Sequence, residues 1–523
     1  MMIKNNLKLK TIYNEGLTFR FLESGDIFDI TYNDYQINLL KSNILDGSLM
    51  NVYLRVKKND TFIQTPLISK EVLTKVSFGN HQVVYEGCFD DIDYCIYLVI
   101  SKFQWDIHVE LKTKATKEVT LFYGQDVAIQ NKSSVLSSEA YTVQYIDFKS
   151  EKDAHGYTLS AKQNQGVAQY LQLGSYSNNV AFTTDGFQFF GKSYKFTQMP
   201  EALQKEKLES VIKQYEFSYL VLQSENITLT KETTISFYGY YCPHIEEDGN
   251  RQMVKVDMLS FDKTNQFNEV IQYTPKPVYK VLNGLDLSDK KIQSLFTEKR
   301  HLEIENNYIL SFFTKNHHHI VLKEKEKLVE RPHGHLMIHK DILHVSDHVM
   351  ATTNFMFGVF NSHVVLGNTS FNKFLGDSRN PLNVQKISGQ RIYLKKDGHY
   401  QILSVPSYYE MGATTTRWYY DLGDDAIIVD VYVDIDKEVQ YLDAYSLNHK
   451  TYDFLVTQQV LLDVNEYMGD IEYSKLGDII TFYMSKNAFA YQKYSNLKYQ
   501  MKIGPQAKII NEKDFLGFDE QHG

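Results

Sequence analysis

The stretch Ile427-Ile428-Val429-Asp430-Val431-Tyr432-Val433-Asp434-Ile435 decides the fold class. Successive side chains of an extended chain point to opposite sides, so Val429, Val431 and Val433 share one face while Asp430, Tyr432 and Asp434 share the other. One face meets a core and the other meets water, the pattern of an antiparallel, half-solvated strand. The same alternation recurs at Val52–Val56 and at Asp106–Leu111. Many such runs, separated by short Gly, Asn, Asp or Ser clusters and with few long helical patterns between them, favour sandwiches over βαβ architecture.

The chain is therefore read as mostly β, with two antiparallel β-sandwich domains and a few short helices. The expected division is an N-terminal sandwich over 1–274, a mixed helical linker over 275–332 and a second sandwich over 333–523. The lysine-rich run Lys323-Glu324-Lys325-Glu326-Lys327 marks the linker. Two helices are predicted. Pro200 to Glu216 places Leu203, Leu208, Val211, Ile212 and Tyr215 near three- and four-residue spacing, with proline in the first turn. The second starts at Ser288, whose hydroxyl caps it, with Ile292, Leu295 and Phe296 as the apolar stripe.

Composition narrows the function classes. The 523 residues carry a formal net charge of −9, which gives no basic face for neutralising phosphates and argues against a nucleic-acid partner. The 38 Tyr and 31 Phe are enough to build strands and stacking surfaces for ligands such as sugars. No run approaches a membrane-spanning length, and Met1 to Lys10 is polar and lysine-rich, unlike a secretory leader. With three cysteines and no C-x-x-C pair, neither a disulfide framework nor a cysteine zinc site is expected. These features fit a cytoplasmic protein with no membrane partner. The last residues, Asp514 to Gly523, do not read as a terminal cap.

Phosphate-loop, dinucleotide, zinc-protease and esterase motifs are absent from the sequence. His317, His318 and His319 alternate faces, and His333, His335 and His339 share one face of a strand, but such rows arise on any wet sheet and no metal is assigned. Three segments mix aromatic and hydrogen-bonding side chains in the manner of sugar sites. The first is Thr183 to Gly191, with Asp185, Phe187 and Gln188 as candidates at an Asp-Gly turn. The second is the loop Ser378 to Asn383, with Arg379, Asn380 and Asn383. The third holds Tyr409, Glu410 and Trp418, where Glu410 can also simply pair with Arg417. Each has a structural alternative: a hairpin with core aromatics, a braced loop and a surface ion pair. No catalytic residue and no cofactor is assigned.

The run Phe357–Gly376, with Ser378–Asn383, Ser388–Tyr393 and Tyr409–Gly412, resembles the N-terminal region of the 1,2-β-oligoglucan phosphorylases of glycoside hydrolase family 94. Ser138–Asp147 and Thr184–Gly191 are similar to further segments of that region. The resemblance implies supersandwich-like β domains in front of a helical barrel that performs the chemistry. It implies phosphorolysis with inversion, in which inorganic phosphate, a co-substrate, attacks the anomeric carbon while an aspartic acid protonates the leaving oxygen. It also implies a β-glucan oligosaccharide as ligand, the catalytic helical domain of the same or a second polypeptide as partner, and a homodimer in which the Ser378–Asn383 loop approaches the partner's site. The sequence shows no succession of amphipathic helices, so the chain reads as the β-sandwich part alone, with a carbohydrate-binding or dimer-forming role. The alternatives are a free-standing carbohydrate-binding protein derived from that family, and a hydrolase or lyase with two carboxylates in a sandwich cleft.

Overall fold

The computed structural model describes residues 8–43, 45–214, 217–244, 253–263, 267–275, 280–339, 349–367, 374–375, 386–463 and 471–510. Strands dominate, as the alternation predicts. The chain divides into two compact units, one built from 7–191 with 199–278 and the other from 192–198 with 279–509. Residues 192–198 thus belong with the later half of the sequence, and most of the expected linker lies in the second unit.

The first unit is built on three antiparallel sheets. A nine-stranded sheet runs in the order Ile146–Asp153, Gly156–Gln163, Tyr170–Ser175, Glu232–Cys242, Gln104–Thr113, Ile92–Ile100, Gln82–Phe89, Leu73–Phe78 and Glu269–Gln272. A six-stranded sheet is centred on Lys117–Asp126 and Asn51–Lys58, and a five-stranded sheet opens with Lys10–Asn14 and Leu17–Phe21. Trp105 anchors the core: its ring meets Phe19 edge-on at 5.6 Å, and its indole N–H donates to the Tyr123 hydroxyl at 3.0 Å. A buried indole needs such an acceptor.

Some polar side chains of these strands are sealed from water. Arg55 is buried, and its guanidinium donates to the carbonyl oxygens of Leu203, Lys205 and Glu206. This corrects the helix expected over Pro200 to Glu216, which is reduced to a 3₁₀ turn at Glu201–Gln204. Carbonyls 203, 205 and 206 point to Arg55, while the Gln223 amide takes the Leu208 N–H and gives to the Glu206 carbonyl. A helix needs those same main-chain groups for its own ladder.

In the second unit, the strands Arg300–Glu305, Tyr308–Phe313, His319–Leu322, Tyr408–Met411, Thr415–Asp421, Ala426–Val433 and Gln440–Ser446 form one seven-stranded antiparallel sheet. A second sheet of seven strands contains Val359–Leu366, Gln390–Lys396 and His399–Leu403, and Lys280–Leu282 joins its edge in parallel. That parallel pair departs from the all-antiparallel expectation. The strands Ile471–Leu476, Ile479–Met484 and Lys498–Lys502 make a smaller sheet. Val429, Val431 and Val433 point into the core with Trp418, Tyr409 and Phe360, the face assigned to them by alternation. The second predicted helix forms as Asp289–Leu295, with the Ser288 hydroxyl accepting from the Lys291 N–H at 3.3 Å and Ile292 buried. The lysine-rich run forms a further short helix, Lys323–Leu328. Among the described residues the longest helix is the seven-residue Asp289–Leu295, and no helix is long and apolar enough to cross a membrane.

Candidate functional site

The sheet around Ala426–Val433 has two faces with different fates. Its inner face carries Tyr409 and Trp418, paired across neighbouring strands with ring centroids 5.1 Å apart. Both are fully buried; the Trp418 indole donates to the Phe355 carbonyl at 3.0 Å and the Tyr409 hydroxyl donates to the Asn354 side chain. Neither ring offers a face to solvent, so stacking on a sugar is closed to them in this conformation.

The outer face is partly roofed by the helix Asp289–Leu295, whose Ile292 and Leu295, with Phe296, cover Tyr408, Tyr419 and Ile428. Beyond that roof the register sets Glu410, Arg417, Asp430 and Asp443 in one row across four strands. Arg417 does not pair with its neighbour Glu410. Its guanidinium grips Asp430 with two bonds, at 2.7 and 3.0 Å, a fork that fixes both groups. Those bonds raise the Arg417 pKa above its ordinary value. Glu410 instead faces His318, with Oε1 2.8 Å from Nδ1.

Tyrosines edge this row. Tyr432 and Tyr441 stack with centroids 4.8 Å apart and planes 16° apart, the Tyr445 hydroxyl donates to Asp430 at 2.9 Å, and the Tyr432 hydroxyl donates to Asp443 at 3.2 Å. Partial burial, and then the neighbouring carboxylates, raise the pKa of both hydroxyls that donate. Tyr441 is 39% exposed and Tyr445 40%, leaving ring surface open beside fixed carboxylates. This arrangement suits a polyhydroxylated ligand: a flat apolar patch for a pyranose face, with acceptors held at its rim.

The other candidates lie elsewhere. Asp185 is the cap of the short helix Gly186–Phe190, its carboxylate accepting from the Gln188 N–H at 3.1 Å, so the Asp-Gly step starts a helix where a hairpin turn was expected. Gln188 accepts from the Thr183 hydroxyl at 2.7 Å, and Phe187 is buried. These three stand in the first unit, whereas Tyr409, Glu410 and Trp418 stand in the second. Arg379, Asn380 and Asn383 lie outside the described residues. Of the histidines, His333 faces Glu326 at 2.6 Å and His335 the Gly412 carbonyl at 2.6 Å. Among the described residues no group of three or more His, Cys, Asp or Glu side chains is placed to hold a metal ion.

Tyr432, Tyr441, Asp443 and Tyr445 were not among the candidate ligand residues read from the sequence, although Tyr432 was placed on a polar strand face. Their signal was present: Gln440–Ser446 places Tyr441, Asp443 and Tyr445 at two-residue spacing, beside a strand whose polar face was already assigned.

Comparison with known proteins places this architecture. Residues 20–239 match the SOGP N-terminal domain, and residues 296–522 match the glycoside phosphorylase supersandwich domain. A 1,2-beta-oligoglucan phosphorylase of Listeria innocua serovar 6a is 30% identical over 522 residues, 97% of this chain. The chain belongs to this glycoside phosphorylase family. It corresponds to the N-terminal region of such a phosphorylase and spans about half the length of that relative, 47%. Solved structures of remote likeness include a putative aldose 1-epimerase of Escherichia coli K12, at 7% identity and a TM-score of 0.27, covering 45% of this chain and 98% of that one. A bacterial glucoamylase complexed with acarbose reaches 11% identity and a TM-score of 0.26, covering 46% of this chain and 34% of that one. Likeness at that level carries no weight for function.

Proposed function

We propose that this chain is the N-terminal β-sandwich part of an inverting β-glucan phosphorylase of glycoside hydrolase family 94, a cytoplasmic enzyme converting 1,2-β-oligoglucan and phosphate to glucose 1-phosphate. The single observation that carries the reading is the identity to the Listeria phosphorylase, which covers 97% of this chain and 47% of that relative. The short helices support it, because the described residues offer no helical toroid in which a general acid and a bound phosphate could face an anomeric carbon. The part played by this chain is carbohydrate contact, and the Tyr432, Tyr441 and Tyr445 face is its best-formed surface for that role. A homodimer in which the Ser378–Asn383 loop approaches the partner's active site is the further role, with β-glucan oligosaccharide, the catalytic helical domain and a second copy as partners.

The test is direct. The purified chain is incubated with β-1,2-glucan oligosaccharides and phosphate, and glucose 1-phosphate is measured. No release from the chain alone, with retention of the oligosaccharide in affinity electrophoresis, is expected. Release of glucose 1-phosphate without a second polypeptide overturns the non-catalytic assignment.

A second reading, a free-standing carbohydrate-binding protein derived from the family, is favoured by the same exposed tyrosines. It predicts retention of oligosaccharide together with no gain of phosphorolysis when a catalytic helical domain is supplied.

A further inference from the structure

Residues 253–263 form no helix or strand, yet they lie over the nine-stranded sheet of the first unit, held by sheet side chains. Gln172 grips Val254 from both sides, its amide donating to the Val254 carbonyl at 2.8 Å and accepting from the Val254 N–H at 2.9 Å. Gln82 treats Asp262 in the same way, at 3.1 and 3.3 Å. Between them Gln104 donates to the Asp257 carbonyl at 2.9 Å, and Asp106 accepts the Leu259 N–H at 2.7 Å. The segment's Phe261 stacks on the His108 ring at 4.3 Å.

Under this cover the chemistry is more elaborate than a clasp requires. His108 is fully buried; Nδ1 faces the Ser236 hydroxyl at 2.8 Å, while Nε2 makes no hydrogen bond of ordinary geometry and lies 3.9 Å from Asp106. Asp106 also accepts from Gln104 at 2.8 Å and from the Tyr176 hydroxyl at 3.2 Å, and Tyr176 packs against Tyr238 at 4.9 Å. Burial pushes the Asp106 carboxyl up to about 6 and the His108 imidazole down to about 4, the latter opposed by Glu110 and by the Leu259 main chain. The cover therefore takes water from groups that water would stabilise.

We propose that the sheet face beneath residues 253–263 is a second carbohydrate-binding site, for a neutral β-glucan oligosaccharide, which the chain's own segment closes. The inference rests on the reading that this chain handles β-glucan. A side-chain amide that holds the N–H and C=O of one residue presents a donor and an acceptor side by side, the pair that two neighbouring sugar hydroxyls take. Gln172 and Gln82 do this at the two ends of the face, Gln104 adds a donor between them, and Asp106 adds an acceptor. His108 Nε2 is the polar atom left for a further hydroxyl, and Phe261 covers its ring as a pyranose would. Among the described residues no lysine or arginine of the sheet is hydrogen-bonded to the segment, and Asp106 stands at the centre of the array, which disfavours an anionic ligand.

The test compares the chain with a Leu259→Ala, Phe261→Ala variant by calorimetric titration with β-1,2-linked glucose oligomers. If closure holds nine molecules in ten shut, loosening it tightens apparent binding about tenfold. Adding Gln172→Ala and Gln104→Ala should remove that gain. Unchanged affinity in the loosened variant overturns the site. Deuterium exchange on the unaltered chain decides independently of whether the variant folds. Saturating oligomer should speed exchange at the Val254, Leu259 and Asp262 amides, and unchanged rates there overturn the proposal. Wild-type binding without any response of the segment sinks this inference alone and leaves the carbohydrate reading standing.

Discussion

The Lys195 ammonium lies 3.2 Å from Oε1 of Glu326, and both side chains are wholly buried. Lys195 also donates to the carbonyl oxygens of Glu326 and Val329, at 2.9 and 2.8 Å, while Glu326 Oε2 takes His333. Burial lowers the Lys195 pKa, opposed by Glu326, so the pair is held by geometry against its desolvation. It fastens residues 192–198 into the second unit.

Lys195→Met is expected to cost that unit about 3–5 kcal/mol, because it takes the ammonium from Oε1 of a buried carboxylate. Chemical denaturation measures it. A double variant with Glu326→Leu as well should lose less than Lys195→Met alone, and equal or greater loss would show that charge pairing is not the main contribution.

Trp418 and Tyr441 separate packing from ligand contact. Trp418→Ala should cost about 3–5 kcal/mol through the cavity it leaves in the core. Tyr441→Ala removes one half of an exposed ring pair and should cost about 1 kcal/mol or less. Its effect belongs in oligosaccharide retention. If Tyr441→Ala and Tyr445→Ala both keep wild-type retention, this face is not the contact surface.

Asp126 gives a pH signature. Its buried carboxyl accepts the N–H groups of Leu39 and Leu40 at 2.8 and 2.7 Å, and burial raises its pKa to about 6. A carboxyl with a raised folded-state pKa holds its proton more tightly folded than unfolded. Its contribution to stability is therefore full below about pH 4 and is lost as pH climbs through about 6. Asp126→Asn removes that loss, so between pH 4 and pH 6 the variant should gain on the order of 2–3 kcal/mol relative to wild type. His108, with its pKa lowered, acts in the opposite sense over the same range, which is why the difference between the two proteins is the quantity to measure.

Asp185→Ala should cost about 1 kcal/mol through loss of a helix cap and leave oligosaccharide retention unchanged. Lost retention with unchanged thermal stability would return Asp185 to the ligand site.

How much was legible in advance follows from which partners are local. The valines of Ala426–Val433 and the Ser288 cap were readable, because alternation and capping are set within a few residues. The Arg55 and Asp106 environments were not. Alternation left their polar faces to water, yet the main-chain groups that cover them come from 150 and 153 residues away. Nothing near either residue records that partner. The same distance effect undid the Pro200 to Glu216 helix, whose apolar spacing is correct but whose carbonyls answer to Arg55.

By itself the sequence determined that the protein is a layered antiparallel β structure of the glycoside phosphorylase kind, since side-chain periodicity and short motifs are properties of the chain read in order. The tertiary structure alone decided which polar side chains meet water, which are sealed under a strap and which tyrosines stand open. Burial and hydrogen bonding depend on what folds back over a strand, and the strand does not encode that.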